Sequence, residues 1–320
     1  MKLSDHINLG NKATRDGFGE GFYHLGKIND KVVGLTADLM GSMKMDAFAK
    51  DWPDRFVQVG IAEANMMGVA AGLAIGGYIP YTGTFANFST GRVYDQIRQS
   101  IAYSHKNVKI CASHAGLTLG EDGATHQILE DLGLMRMLPG MTVINPCDSN
   151  QTRAAAIAIA SWDGPVYLRF GRPSVPNFTP LEREFKIGKA EVLSEGKDIT
   201  LVACGHMVWK CLEAARELEM EGIHCEVINL ATIKPLDEET ILKSLAKTRA
   251  LVTAEEHQIN GGIGDMLAGL CGRKLPIPIE MVAVMDSFGE SGKPDELLVK
   301  YGLTTQNIIL KAKACLSRKF

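Results

Sequence analysis

A chain of 320 residues with 46% apolar and 22% charged residues and a formal net charge of −3 has core enough for about two globular domains. That charge argues against a nucleic-acid partner held by bulk electrostatics, and no apolar run reaches the roughly 18 residues of a membrane span. Seven cysteines, without Cys-x-x-Cys or metal-ligand spacing, and a start without an apolar signal core predict a cytoplasmic protein with reduced thiols.

Phe18, Phe22 and Leu25 recur at helical spacing and predict a helix over residues 13–26. Residues 32–37 read as a strand ending at Asp38. Residues 56–59 read as a short buried strand, broken by Gly60. The segment 62–75, made of Ala, Met, Gly and few large residues, predicts a helix buried on most sides. Strands follow at 78–81, 108–112, 141–145 and 166–169, and helices at 89–104, 126–137 and 151–161. This alternation is the mark of an α/β domain with a parallel sheet covered on both faces. In such sheets ligands collect beyond the C-terminal strand ends.

Pro173, Pro176 and Pro180 in a stretch of little periodicity (171–186) predict a linker. A second α/β set follows, with strands at 199–203, 224–228 and 250–253 and helices at 208–221, 238–247, 263–271 and 304–317. The expected division is a first domain over residues 1–171, a linker over 172–188 and a second domain over 189–320.

Three places concentrate groups able to do chemistry. Glu63 is a carboxylate among apolar neighbours at a strand-to-helix switch. It is either an ordinary helix N-terminal acid or a functional carboxylate. Phe85 and Phe88, three apart at a strand end, are either core residues or a wall for a flat ring. The loop His114-Ala-Gly-Leu-Thr-Leu-Gly-Glu-Asp122-Gly-Ala-Thr-His126 packs two His, two carboxylates and two Thr into thirteen residues, with glycines that let backbone approach a ligand. Further on, Glu255-Glu256-His257 and Gly261-Gly262-Ile263-Gly264 form a weak phosphate-loop signal, for which a structural role is the expectation.

Gly60-Ile-Ala-Glu63-Ala-Asn-Met resembles the Gly-Ile-x-Glu motif of the transketolase family of thiamine-diphosphate enzymes. The 114–126 loop resembles that family's His-Asp-Ser-x-Gly-x-Gly-Glu-Asp-Gly-x-Thr-His motif, with Ala115, Gly116 and Thr118 departing from it. The resemblance covers the C-terminal half of an ordinary transketolase. It implies two doubly wound domains: a parallel-sheet pyrimidine-binding domain, then a smaller mixed-sheet C-terminal domain. It implies that Glu63 meets the aminopyrimidine of the cofactor, that Phe85 and Phe88 hold that ring, and that Asp38 lies near its thiazolium side. It further implies that His114, Asp122 and His126 contact sugar hydroxyls and cofactor, with Glu63, His114 and His126 catalytic, and that Arg15, Ser42 and Arg169 grip a substrate phosphate, with Arg172 a close rival to Arg169.

The family's Gly-Asp-Gly motif for diphosphate and divalent metal, such as Mg²⁺, does not occur in this chain. The resemblance therefore implies a split transketolase. The partner would be an N-terminal subunit carrying that motif and the metal, this chain would contribute no metal ligand, and the assembly would be α2β2. Competing expectations are the beta subunit of a 2-oxoacid dehydrogenase, a deoxyxylulose-phosphate synthase half, or a non-catalytic subunit that keeps only the fold.

Overall fold

The computed structural model describes residues 2–319. Its larger sheet has seven strands. From one edge to the other they are Thr232–Lys234, Thr142–Ile144, Val166–Arg169, Lys109–Ser113, Ile79–Phe85, Val32–Thr36 and Phe56–Gln58. All run parallel except Thr232–Lys234. The inner strands are buried on both faces, which is why they read as near-continuous apolar runs.

The smaller sheet orders Ile279–Val284, Leu251–Gln258, Ile199–Ala203, Cys225–Asn229 and Glu191–Ser194. Only the last strand is antiparallel to its neighbour. The expected α/β class, a mostly parallel sheet followed by a smaller mixed one, is what the chain forms. The two sheets are interlocked, because Thr232–Lys234 leaves the second half of the chain to edge the first sheet.

Several local expectations change. Phe56–Gln58 is a half-exposed edge strand, not a buried one. The helix Glu63–Ile75 buries Glu63, Met66, Met67, Ala70 and Ala71 and exposes Ala64, Asn65, Gly68, Gly72 and Ile75, so one face only is covered by this chain. The predicted helix over 89–104 is broken into short turns ending in the π-helix Ile97–Ala102. Thr90, whose hydroxyl donates to the Ala86 carbonyl, and Gly91 sit at the break. The helix expected over 126–137 begins only at Asp131, since residues 126–130 continue the loop.

The proline-rich segment is pinned rather than free. Ser174–Pro176 pairs antiparallel with Asn11–Ala13. The fully buried Asp148 accepts hydrogen bonds from Phe178 N, Thr179 N and Thr179 Oγ1 at 2.7–2.8 Å. Among the described residues no helix is long and apolar enough to cross a membrane.

Candidate active site

Five neighbouring parallel strands deliver the candidate residues to one edge of the larger sheet. Asp38 lies just past Val32–Thr36, and Glu63 follows Phe56–Gln58 across the turn at Gly60. Phe85 ends its strand, His114 directly follows Lys109–Ser113, and Arg169 ends Val166–Arg169. These are the C-terminal strand ends, where the fold leaves a crevice.

Register then sets the contacts. Phe85 is the sheet partner of Ser113, so His114 falls onto the Phe85 ring, with centroids 3.9 Å apart and planes within 24°. The short helix Ala86–Ser89 turns Phe88 back over Phe85 at 5.8 Å and 23°. His126 meets the edge of Phe88 at 5.3 Å. Asn87 Nδ2 donates to the Thr125 carbonyl at 2.8 Å, tying the phenylalanine turn to the histidine loop. Four rings from two loops thus form one wall.

Glu63 opens its helix and is only 4% exposed. Its Oε1 accepts from Arg92 Nη1 at 3.0 Å. The Arg92 guanidinium also lies 4.0 Å from the Phe88 ring centroid, a cation–π contact. The carboxylate is therefore beside the ring wall and not in bulk solvent. Arg92 is the residue that joins the two.

Backbone strain gathers at the same edge. Asp38 has φ +60° and His114 φ +56°, the left-handed region that Asp and His tolerate better than most residues and that clusters at functional sites. The Gln58 side chain holds the first strained corner by accepting from Asp38 N at 2.8 Å and Gly60 N at 3.2 Å. Sequence reading missed Gln58, and its place at a strand end was the only signal available.

Cations line the mouth. Arg15 Nη1 points at the Ser42 carbonyl, 3.5 Å away. Burial lowers the Arg15 pKa, Asp16 offsets this, and Arg172 lowers it further. Burial, together with the charges of Arg15 and Arg172, pulls the His114 pKa down to about 3. His114, with Nδ1 2.8 Å from Ser113 Oγ, is therefore neutral near pH 7.

Arg169 ends its strand at the same edge but is paired inside the protein. It is 3% exposed, and its Nε bonds Asp131 at 2.7 Å while Nη2 bonds the Glu256 carbonyl at 2.9 Å. Its charge is consumed inside the protein. Arg172 is partly exposed, with one donor on the Leu119 carbonyl and one on Glu121. Asp122 is exposed and, among the described residues, its carboxylate makes no hydrogen bond or ion pair.

A flat heteroaromatic ring suits this donor set: a stacked aromatic wall with a buried carboxylate at its side. Residues 11–177 match the family model for the transketolase pyrimidine binding domain, and residues 188–308 match that for the transketolase C-terminal domain. The chain belongs to the transketolase family, whose enzymes depend on thiamine diphosphate, and it corresponds to the half holding these two domains.

Among particular relatives, it is 44% identical to the 6-deoxy-6-sulfo-D-fructose transketolase subunit SqwH of Clostridium sp. (strain MSTE9), over 100% of this chain and 97% of that one. It is 44% identical to a putative transketolase C-terminal section of Methanocaldococcus jannaschii, over 93% and 94%. A solved structure described as a split gene transketolase, inactive beta4 tetramer, matches with TM-score 0.91 at 48% identity, over 96% of this chain and 99% of that chain.

Proposed function

We propose that this chain is the C-terminal subunit of a split, cytoplasmic transketolase that moves a two-carbon ketol unit between sugar phosphates. A partner subunit would supply the Gly-Asp-Gly motif, the diphosphate grip and Mg²⁺. The observation that carries the reading is the meeting of Glu63, Phe85, Phe88, His114 and His126 at neighbouring strand ends. Thiamine diphosphate, when bound, supplies the chemistry that breaks and remakes the carbon–carbon bond.

The chain's own residues bind and orient. Phe85 and Phe88 stack the aminopyrimidine. Glu63, whose Oε1 is held by Arg92, would offer Oε2 to a ring nitrogen of the bound cofactor and would be the group that shares a proton with it there. Asp38 would border the thiazolium side of the cofactor. His114, which burial keeps neutral, and His126 present ring nitrogens to sugar hydroxyls, and Asp122 reaches them from the loop's exposed turn. Arg15, the Ser42 segment and Arg172 form an anion seat, because a guanidinium fork meets tetrahedral oxyanions in bidentate fashion. The phosphate role expected of Arg169 passes to Arg172, since Arg169 is spent on Asp131.

The name of the Clostridium relative favours a second substrate reading, in which a sulfonate takes the same seat. The deciding experiment purifies the chain alone and with a Gly-Asp-Gly subunit, then assays ketol transfer from a ketose phosphate and from 6-deoxy-6-sulfofructose. Transfer is expected only from the pair. Full-rate transfer by the chain alone, or oxidative decarboxylation of pyruvate by the pair, overturns the reading.

A further inference from the structure

The smaller sheet reaches the 114–126 loop through one carboxylate. Glu256, on the strand Leu251–Gln258, is 4% exposed. Its Oε1 accepts the backbone N–H of Thr118 at 2.6 Å, and its Oε2 lies 2.8 Å from Nε2 of His206. Thr118 is the middle residue of the single turn Leu117–Leu119, between Gly116 at φ +80° and Gly120 at φ +95°. A Cβ at Gly116 would collide with the Glu256 carboxylate, so only glycine lets the loop come this close.

The same residue's carbonyl receives Arg169 Nη2, and Arg169 in turn holds Asp131 at the start of the helix that follows the loop. Gln127 grips the far end, its Nε2 donating to the carbonyls of Leu117, Gly120 and Glu290. A charged acceptor makes a shorter and stronger bond than a neutral one. Taking it away strands a buried N–H.

We propose that Glu256 is a positioning residue: acting from the smaller sheet, it sets the backbone of the 116–120 turn so that His114 and His126 keep their places against the phenylalanine wall. This rests on the reading above, that the loop orients the sugar. The sequence expectation of a purely structural role for Glu255-Glu256-His257 then holds for Glu255, whose carboxylate accepts from Ile263 N and Gly264 N at 2.8 Å. It does not hold for its neighbour. The wall itself comes from another strand, so losing the clamp affects sugar binding more than cofactor binding.

Two measurements test this. In the isolated full chain, amide hydrogen exchange followed by mass spectrometry is expected to speed up about tenfold across residues 116–126 in Glu256→Ala, while Ile263–Lys274 stays protected. Glu256→Gln, which keeps an oxygen acceptor, is expected to restore most of that protection. In the reconstituted pair, Glu256→Ala is expected to raise the sugar phosphate KM about tenfold with kcat within about threefold of the parent. Wild-type exchange in the loop, or acceleration spread evenly over the whole chain, overturns the proposal, as does an unchanged KM. Should Glu256→Ala not fold, Gly116→Ala reads the same contact from the loop side. The same local pattern is expected there, and parent-like exchange and KM would again overturn the assignment. A wild-type pair without ketol transfer overturns the functional reading alone, while the exchange pattern still decides the clamp.

Discussion

At 4% exposure with one oxygen held by a half-exposed arginine, Glu63 keeps its carboxyl among apolar neighbours beside the rings of Phe85 and Phe88. Glu63→Gln preserves the shape and removes the proton that the proposed role requires. The variant is expected to melt within a few degrees of the parent and to lose about 100-fold or more in turnover of the reconstituted pair; parent-like turnover would return Glu63 to being an ordinary helix-terminal acid. His114 offers a check in pH. Its pKa is held at about 3, chiefly by burial, against 6.5 for the free residue. The unfolded chain thus binds a proton that the folded chain does not as pH drops below about 6.5, and this group's contribution to stability falls with it. Above that pH it contributes no slope. The His114 ring resonance is expected to stay at its neutral position from about pH 8 down to 5, and an imidazole transition near pH 6.5 would contradict the burial argument. What the sequence revealed at this scale was residues whose type is unusual for their place, such as an acid in an apolar run or two histidines in a glycine loop. Arg92, Gln58 and Arg172 were harder to read, because a lone polar residue becomes informative only when the fold supplies its partner.

Helices 14–28 and 149–158 show the same logic one level up. Gly17 and Gly21 lie one turn apart on Thr14–Ile28 and face the backbone of Ser149 and Arg153; a Cβ at Gly17 would collide with the Ser149 carbonyl. Gly17→Ala is expected to cost about 2 kcal/mol or more by forcing the helices apart, despite alanine's better helix propensity, as measured by urea unfolding. Asp148, fully buried, caps Ser149–Ala158 through Gln151 N at 2.8 Å while it anchors Phe178 and Thr179. Asp148→Ala leaves several buried donors unpaired and is expected to cost about 3 kcal/mol; a loss below about 0.5 kcal/mol would mean that the proline-rich segment is not pinned through this residue. Long apolar or strongly periodic segments were legible in advance, because both strand and helix periods are written in the side chains. Among the missed pieces were the short strands Asn11–Ala13, Ser174–Pro176, Glu191–Ser194 and Thr232–Lys234. Each is three or four residues long and is held by a partner far away in sequence, which no local pattern encodes. The overextended helix at 126–130 failed for a related reason: tertiary bonds from Gln127 to three carbonyls hold that stretch in loop geometry.

For the whole molecule, the question is what covers the open side of the helix Glu63–Ile75. Its exposed face carries Ala64, Asn65, Gly68 and Gly72, with Ile61 at 77%, Ile75 at 71% and Tyr78 at 46% exposure around it. Apolar side chains gathered at that exposure mark a contact surface more often than a solvated one, and small residues let a partner helix approach closely. The helix also begins at Glu63, so a chain seated on it would sit next to the ring wall, where the proposed partner would bring the diphosphate grip. A Cβ at Gly68 or Gly72 meets nothing within 4 Å, so a larger side chain fits the chain by itself and improves helix propensity. Gly68→Arg is therefore expected to leave the melting temperature of the lone chain unchanged or slightly raised. By filling the seam it is also expected to abolish assembly with the Gly-Asp-Gly subunit and the ketol transfer that depends on it. Gly68→Ala, small enough for close approach, is expected to keep both. Sedimentation of the mixed subunits separates the outcomes: if Gly68→Arg still assembles and turns over at the parent rate, this face is free surface and the partner completes the site from another side.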